Sequence, residues 1–119
     1  PWDFDSSWGQ NFYYQFDPTM NRTDSIKNLN LMYKRLINNE SFRNSCKNRW
    51  NSLRFTLWTE KSIMNLIDDY YKEIDDLISD NYERWYKNRD FTLEQKIDYL
   101  YYWISERLIY CDYFFNHFV

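Results

Sequence analysis

The sequence predicts a mainly helical fold, either a helical bundle or the helical half of a larger α+β enzyme. Three observations carry that expectation. The 119 residues hold one glycine and two prolines, too few turn-formers for a many-stranded fold. Apolar residues recur at spacings of three and four along four stretches. Residues able to cap a helix stand at the head of three of them.

The elements follow in order. Pro1 to Gly9 reads as a motif loop. Residues 10–24 read as a packed aromatic connector, with Phe12, Tyr13, Tyr14 and Phe16 followed by the turn signal Asp17-Pro18-Thr19. The remainder, 25–119, reads as about four helices. The first is expected from about Ser25, capped by Thr23 or Asp24, with Ile26, Leu29, Tyr33, Leu36 and Ile37 on one face and a break at Asn38-Asn39. The second runs from about Glu40 with Phe42, Cys46, Trp50, Leu53 and Leu57 on one face. It also bears Arg43, Lys47, Arg49 and Arg54, which makes it the most basic of the set. The third follows Thr59 and keeps its period through Ile63, Leu66, Ile67, Tyr70, Ile74, Leu77 and Ile78, with a register that reaches Tyr82 and Trp85. Lys72 is spaced to meet Asp68 or Asp76 on its solvated side. Arg84 to Asp90 is polar and reads as a loop. Thr92-Leu93-Glu94-Gln95 matches a capping box, in which the hydroxyl and the Gln three residues on satisfy each other's backbone N–H. The last helix then carries Leu93, Ile97, Leu100, Ile104, Leu108, Cys111 and Phe115, with Tyr99, Tyr101, Tyr102 and Trp103 around it. A helix apolar on several sides is packed on several sides.

Charge excludes some functions. The net charge is -3, with 15 Lys+Arg against 18 Asp+Glu. The signs are interspersed and no basic block gives a nucleic-acid footprint. No apolar run reaches the roughly 18 residues that span a bilayer, and no signal peptide opens the chain. The chain starts without Met inside a motif, so a piece of a longer protein is expected. Cys46 and Cys111 show no metal spacing, and with one His they complete no zinc site. They read as free, packed thiols; a disulfide between them would require an oxidising compartment.

The stretch with most chemistry is Pro1-Trp2-Asp3-Phe4-Asp5-Ser6-Ser7-Trp8-Gly9. In an extended segment Asp3 and Asp5, two apart, point the same way. Both carboxylates can then face one cation. Mg²⁺ suits such a pair, since it takes one or two protein carboxylates plus phosphate oxygens and waters. The plainer reading is a turn in which Asp5 accepts from the N–H groups of Ser6 or Ser7. Trp2, Phe4 and Trp8 would fix the backbone in either case, and Gly9 allows a sharp turn or close approach.

Other candidates read first as structure. Arg49, Trp50 and Arg54 suit an anion or a stacked partner, but more simply anchor their helix through ion pairs and packing. His117 has no partner for catalysis. Glu60, Glu73, Glu83 and Glu106 fall on solvated faces, and Arg107 reads as a buried ion-pair partner. Asn21-Arg22-Thr23 and Asn39-Glu40-Ser41 match the glycosylation triplet, as chance allows in an Asn-rich chain. No Ser/His/Asp set and no glycine-rich phosphate loop is present.

Pro1-Trp2-Asp3-Phe4-Asp5 with Trp8-Gly9 resembles the aspartate motif of the CotH family of spore-coat-type protein kinases. The resemblance continues through Leu31-Met32-Tyr33-Lys34-Arg35-Leu36, Ser41-Phe42-Arg43, Arg49-Trp50 with Leu53-Arg54, Trp103-Ile104-Ser105-Glu106-Arg107 and Tyr113-Phe114-Phe115. It implies the helical C-terminal part of an atypical protein-kinase-like (α+β) fold, with a short metal-motif loop at its head. It implies an enzyme that uses ATP with Mg²⁺ or Mn²⁺ to phosphorylate Ser/Thr of protein partners. Such relatives occur in spore coats, on fungal surfaces and in cellulose-degrading assemblies. By position, Asp3 matches the metal-binding aspartate of an Asp-Phe-Gly motif, with Asp5 as second or water-mediated ligand. The third position here is Asp5 rather than Gly, which leaves the direct ligand open. The nucleotide-binding lobe, its Lys and the residue that positions the acceptor hydroxyl are expected before Pro1, so this chain alone is expected to be inactive. The competing expectation is a non-catalytic helical interaction module of a surface, spore-coat or cellulosome-type assembly. It would leave Asp3 and Asp5 in a surface turn and show a large exposed apolar patch elsewhere, whereas a kinase part holds the two carboxylates in a pocket against the helices. A kinase part cut from its other lobe exposes apolar surface too, so the aspartates and not the patch distinguish the two.

Overall fold

The computed structural model describes residues 8–9, 17–21, 30–85 and 93–117; among them lie four helices and no strand. These are α1 (Leu31–Asn38), α2 (Glu40–Phe55), α3 (Glu60–Trp85) and α4 (Leu93–Asn116). The fold is mainly helical, as the scarcity of turn residues and the three-and-four spacing predict.

Each boundary has a local cause. Asn30 is extended, and its side chain accepts from the Met32 N–H at 2.8 Å, so α1 starts at Leu31. A helix running unbroken from Ser25 through Ile37 is therefore corrected: Asn30 supplies its own cap and interrupts it. Ile26, Leu29 and the cap candidates Thr23 and Asp24 lie outside the described residues. Asn39 serves two helices. Its N–H donates to Leu36 O and closes α1, while its side chain accepts from Phe42 N at 2.9 Å and opens α2. That engagement is what the Asn38-Asn39 break in the period reports. At the far end of α2, Thr56 leaves helical geometry and both Thr56 and Trp58 donate to Leu53 O. Leu57 consequently sits in the turn and is 69% exposed, not on the packed face of the helix. Thr59 does cap α3: its hydroxyl oxygen accepts from Ser62 N. Helix α3 then runs through Arg84 to Trp85, into the stretch expected to be loop, while 86–90 and the cap residue Thr92 lie outside the described residues.

Helix α4 is the centre. Helices α2 and α3 both pack on it, and α1 packs on α2. This is the physical reason α4 is apolar around so much of its circumference. Among the described residues, Ile104 and Leu108 on α4 and Trp50 on α2 are the buried apolar side chains of the core, with Ile63, Met64, Ile67, Leu100, Trp103 and Phe115 against them. The Trp50 ring stacks on Phe115, centroids 5.0 Å apart, and meets Trp58 edge-on at 5.8 Å. Between α3 and α4, Tyr101 O–H donates to Asp68 and Ser105 O–H to Glu60 at 2.5 Å. The bond to Asp68 pushes the Tyr101 phenol up to about 12. Asp68 is thus turned towards α4, and Lys72 pairs instead with Asp69 at 3.8 Å. Both partners of that pair are largely exposed, so it contributes little.

The expected face of α3 is only partly buried. Ile63, Ile67 and Ile78 are half-buried, whereas Leu66, Tyr70, Ile74 and Leu77 are exposed. Period alone reports which side is apolar, not whether a neighbour covers it.

Candidate functional site

The end of the aspartate motif is seated on α4. Trp8 and Gly9 have φ of 55° and 84°, two successive positive values. Positive φ is ordinary for glycine but strained for a bulky residue such as Trp8, at a cost of about 1–3 kcal/mol. The strain is held by packing. The Trp8 ring meets Trp103 edge-on, centroids 6.5 Å apart, and Tyr99 O–H donates to Gly9 O at 3.3 Å. Gly9 is buried with no room for a side chain: a Cβ there would collide with the Trp103 ring at Cδ1, Nε1 and Cγ. The sole glycine of the chain therefore lets the backbone lie against an indole.

The connector is tied to the same helix. Asp17-Pro18-Thr19-Met20 forms the expected turn, with Met20 N donating to Asp17 O and both Thr19 N and Thr19 Oγ1 donating to Asp17 Oδ1. Those bonds from Thr19 hold the Asp17 carboxyl below its ordinary value. Arg107 Nη1 donates to Pro18 O at 2.8 Å and Met20 O at 2.9 Å, and its guanidinium lies near the faces of Trp103 and Tyr110. Arg107 is therefore a clamp on backbone carbonyls, with no ion-pair partner among the described residues. Carbonyls leave no trace in a sequence, which is why the side chain reads there as half of a salt bridge.

Beside this platform lies a cavity of about 330 Å³ lined by Trp8, Trp58, Trp103, Ile104, Leu108 and Cys111, among others. Its wall is almost wholly apolar. The buried Trp103 Nε1 has no hydrogen-bond acceptor among the described residues. Burial pushes the Cys111 thiol up, against a smaller opposing effect of Arg107. Cys46 and Cys111 are both free.

Next to the cavity, whose wall also includes Trp50, a polar knot joins α4 to α2. Arg54 Nε and Nη2 donate to Asp112 Oδ1 and Oδ2 at 2.8 and 2.9 Å, and Trp50 Nε1 donates to Oδ1 at 2.8 Å. Arg54 also donates to Trp58 O. This is the anchoring role expected of Trp50 and Arg54, and it commits three of the five Arg54 N–H groups to acceptors within the fold. Burial alone would raise the Asp112 carboxyl, but the bonds from Arg54 and Trp50 together outweigh it and hold the group below 3.8. Because the folded value is the lower one, the stabilisation is complete above the unfolded pKa of about 3.9 and is lost as pH falls through the folded value. The pair is partly exposed, so its effect is modest. Asp112→Asn is expected to lower the urea midpoint at about pH 6, with the gap to wild type closing as the pH is taken down below the ordinary carboxylate value of about 3.9. An unchanging gap across that range would show that the carboxylate charge is not what matters.

His117 stacks on Tyr113 at the surface, centroids 4.3 Å apart, and takes no part in the site. Asp3 and Asp5 lie outside the described residues, and among those described no three His, Cys, Asp or Glu side chains gather to hold a metal. No helix of the described residues is long and apolar enough to cross a membrane. What the sequence misses is the platform itself, Tyr99, Trp103 and Arg107 on α4. The one available signal is the coincidence of a lone glycine with a tryptophan-rich helix. Compared with known families, the chain matches the one described as CotH kinase protein over residues 1–111. No curated protein and no solved structure matches it.

Proposed function

Because the chain belongs to the CotH kinase protein family, we propose that it supplies the metal-binding aspartates and the helical part of an ATP- and metal-dependent kinase. The acceptors are Ser/Thr hydroxyls of protein partners. The observation that supports this reading is the seating of Trp8-Gly9 on α4, which holds the backbone three and four residues after Asp5 against that helix. An acidic pair on a tethered segment is a better ligand than one on a free terminus, since less order is lost on binding.

The donor set fits the metal. Two carboxylates two residues apart are hard oxygen ligands suited to Mg²⁺ or Mn²⁺. Asp3 is the direct ligand in this reading and Asp5 the second or water-mediated one. When bound, the metal neutralises and aligns phosphate oxygens, which is most of what phosphoryl transfer asks of a protein. The chain's own part is to position that metal. The nucleotide lobe, its Lys and the acceptor-positioning residue belong to the rest of the parent domain, so residues 1–119 form its C-terminal helical part: 1–9 motif, 10–24 connector, 25–119 helices.

Two measurements test this. Mn²⁺ binding to the chain, followed by the loss of free-ion spin resonance, is expected to weaken at least about tenfold in Asp3→Asn, as befits removal of a direct anionic ligand. Equal binding by variant and wild type would remove the metal role. Phosphate transfer from ATP by the chain alone is expected to be absent; metal-dependent turnover would refute the division of labour between this part and the remainder.

A further inference from the structure

Helix α3 carries an apolar ridge that no described element covers. Leu66, Tyr70, Ile74 and Leu77 are 54, 59, 44 and 68% exposed. Their spacings of four, four and three place them on one side of the helix. The ridge extends the packed face formed by Ile63, Ile67 and Ile78, so α3 has a wider apolar stripe than α4 occupies. From Leu66 to Leu77 it runs about 16 Å, three turns.

The edge of the ridge away from α4 is acidic. Asp69, Glu73, Asp76 and Asp80 follow one another at spacings of three and four and are all exposed. Among the described residues, only Asp69 of these four has a cation beside it, Lys72 at 3.8 Å. An apolar ridge with such a border selects its occupant by charge. Two copies of α3 face to face would set carboxylates against carboxylates. The outward side of α2, the most basic helix, presents Asn44, Ser45, Asn48 and Ser52 with a single exposed apolar side chain, Phe55 at its end, so it lacks the run of anchors that would match the ridge. An anionic membrane surface would be repelled.

We propose that this face of α3 docks a basic amphipathic helix of another protein, its apolar side chains on the Leu66–Leu77 ridge and its Lys or Arg residues along the acidic border. The proposal stands apart from the kinase reading: it uses no residue of the motif or of its platform.

The full chain is titrated against a fluorescein-labelled helix about 18 residues long, built of Leu and Lys with the Leu on one face. A matched probe with Glu in place of Lys serves as control. Saturable binding of the Lys probe is expected, weakening with salt, with the Glu probe at least about tenfold weaker. Leu66→Ser with Leu77→Ser is expected to cost at least about tenfold in affinity. Glu73→Lys with Asp76→Lys is expected to shift preference towards the Glu probe. All four positions are exposed, so these variants keep their helical circular dichroism. Ile109→Ser, exposed on α4, is expected to change nothing. Equal binding of both probes, or binding indifferent to the ridge variants, overturns the proposal. A dimer that the ridge variants dissolve would overturn it in favour of a second copy. Overturning it too would be a longer form of the chain in which cysteines placed at 66 and 77 resist thiol labelling with no partner added, since the ridge would then be interior.

Discussion

Trp50→Ala is expected to remove about 3–5 kcal/mol of stability, the cost of deleting a buried large aromatic. Domains of this size typically hold only about 5–15 kcal/mol in total, so the loss is a large fraction of the whole. The argument rests on position. Helix α1 packs on α2, and α2 reaches α4 through a seam in which Trp50 stands at the middle, 7% exposed. Its ring stacks on Phe115 and abuts Trp58, while its Nε1 holds Asp112 for Arg54. Removing it empties a site that three elements share and leaves the Asp112–Arg54 pair without its apolar roof. Trp50→Phe separates the two contributions. It keeps part of the ring, loses one hydrogen bond to a charged acceptor, and is expected to cost about 1–3 kcal/mol. Urea midpoints followed by far-ultraviolet circular dichroism distinguish the cases. A cost for Trp50→Ala below about 1 kcal/mol would mean that some other contact joins α2 to α4.

The contrast between Trp50 and Leu57 shows what a sequence does and does not disclose. Both fall on the same apolar period, but the helix ends between them where Thr56 and Trp58 turn back on Leu53. Turn geometry of that kind depends on Arg54 reaching the Trp58 carbonyl, a contact no pattern of side-chain types announces. Caps are more legible at Asn39 and Thr59 because a side-chain oxygen facing a free N–H is a local event. Asn30 escapes notice for the opposite reason: Ile26 and Leu29 continue the period across it and outweigh one polar residue. Helix α4 packs on several sides as its pattern predicts, since a helix apolar around much of its circumference has to bury more than one face. For α3 the same reasoning overreaches, because apolar residues on a helix show what the helix can bury, not what is present to bury it.

The site is legible in part. The motif announces itself through residue types, and its family membership through the order of landmarks. Its mounting does not, because that depends on a backbone lying flat against a ring. Arg107 illustrates the gap: a guanidinium fixed by Pro18 and Met20 carbonyls looks, in sequence, like any arginine beside a glutamate.

That mounting makes Gly9→Ala the second change with a large expected effect, about 2–5 kcal/mol. Two separate costs add. A left-handed φ of 84° penalises any Cβ by about 1–2 kcal/mol. The Cβ must also displace the Trp103 ring, and forcing extra volume into a packed contact costs about 1–3 kcal/mol. Trp103→Ala in the same chain tells them apart. It removes the Cγ, Cδ1 and Nε1 atoms that the Cβ strikes, together with an indole N–H that has no acceptor among the described residues. In the double variant the steric part should therefore be recovered and the backbone part remain, a favourable coupling of about 1 kcal/mol or more in a mutant cycle. The near-ultraviolet dichroism of the Trp8–Trp103 pair should fall in Gly9→Ala while helix content holds. On the proposed metal role, Mn²⁺ affinity should fall with it, because the contact at Trp8-Gly9 is the mounting on which that proposal places Asp3 and Asp5. If stability drops but metal binding is untouched, the turn at Gly9 is packing alone and the aspartates are positioned by something else.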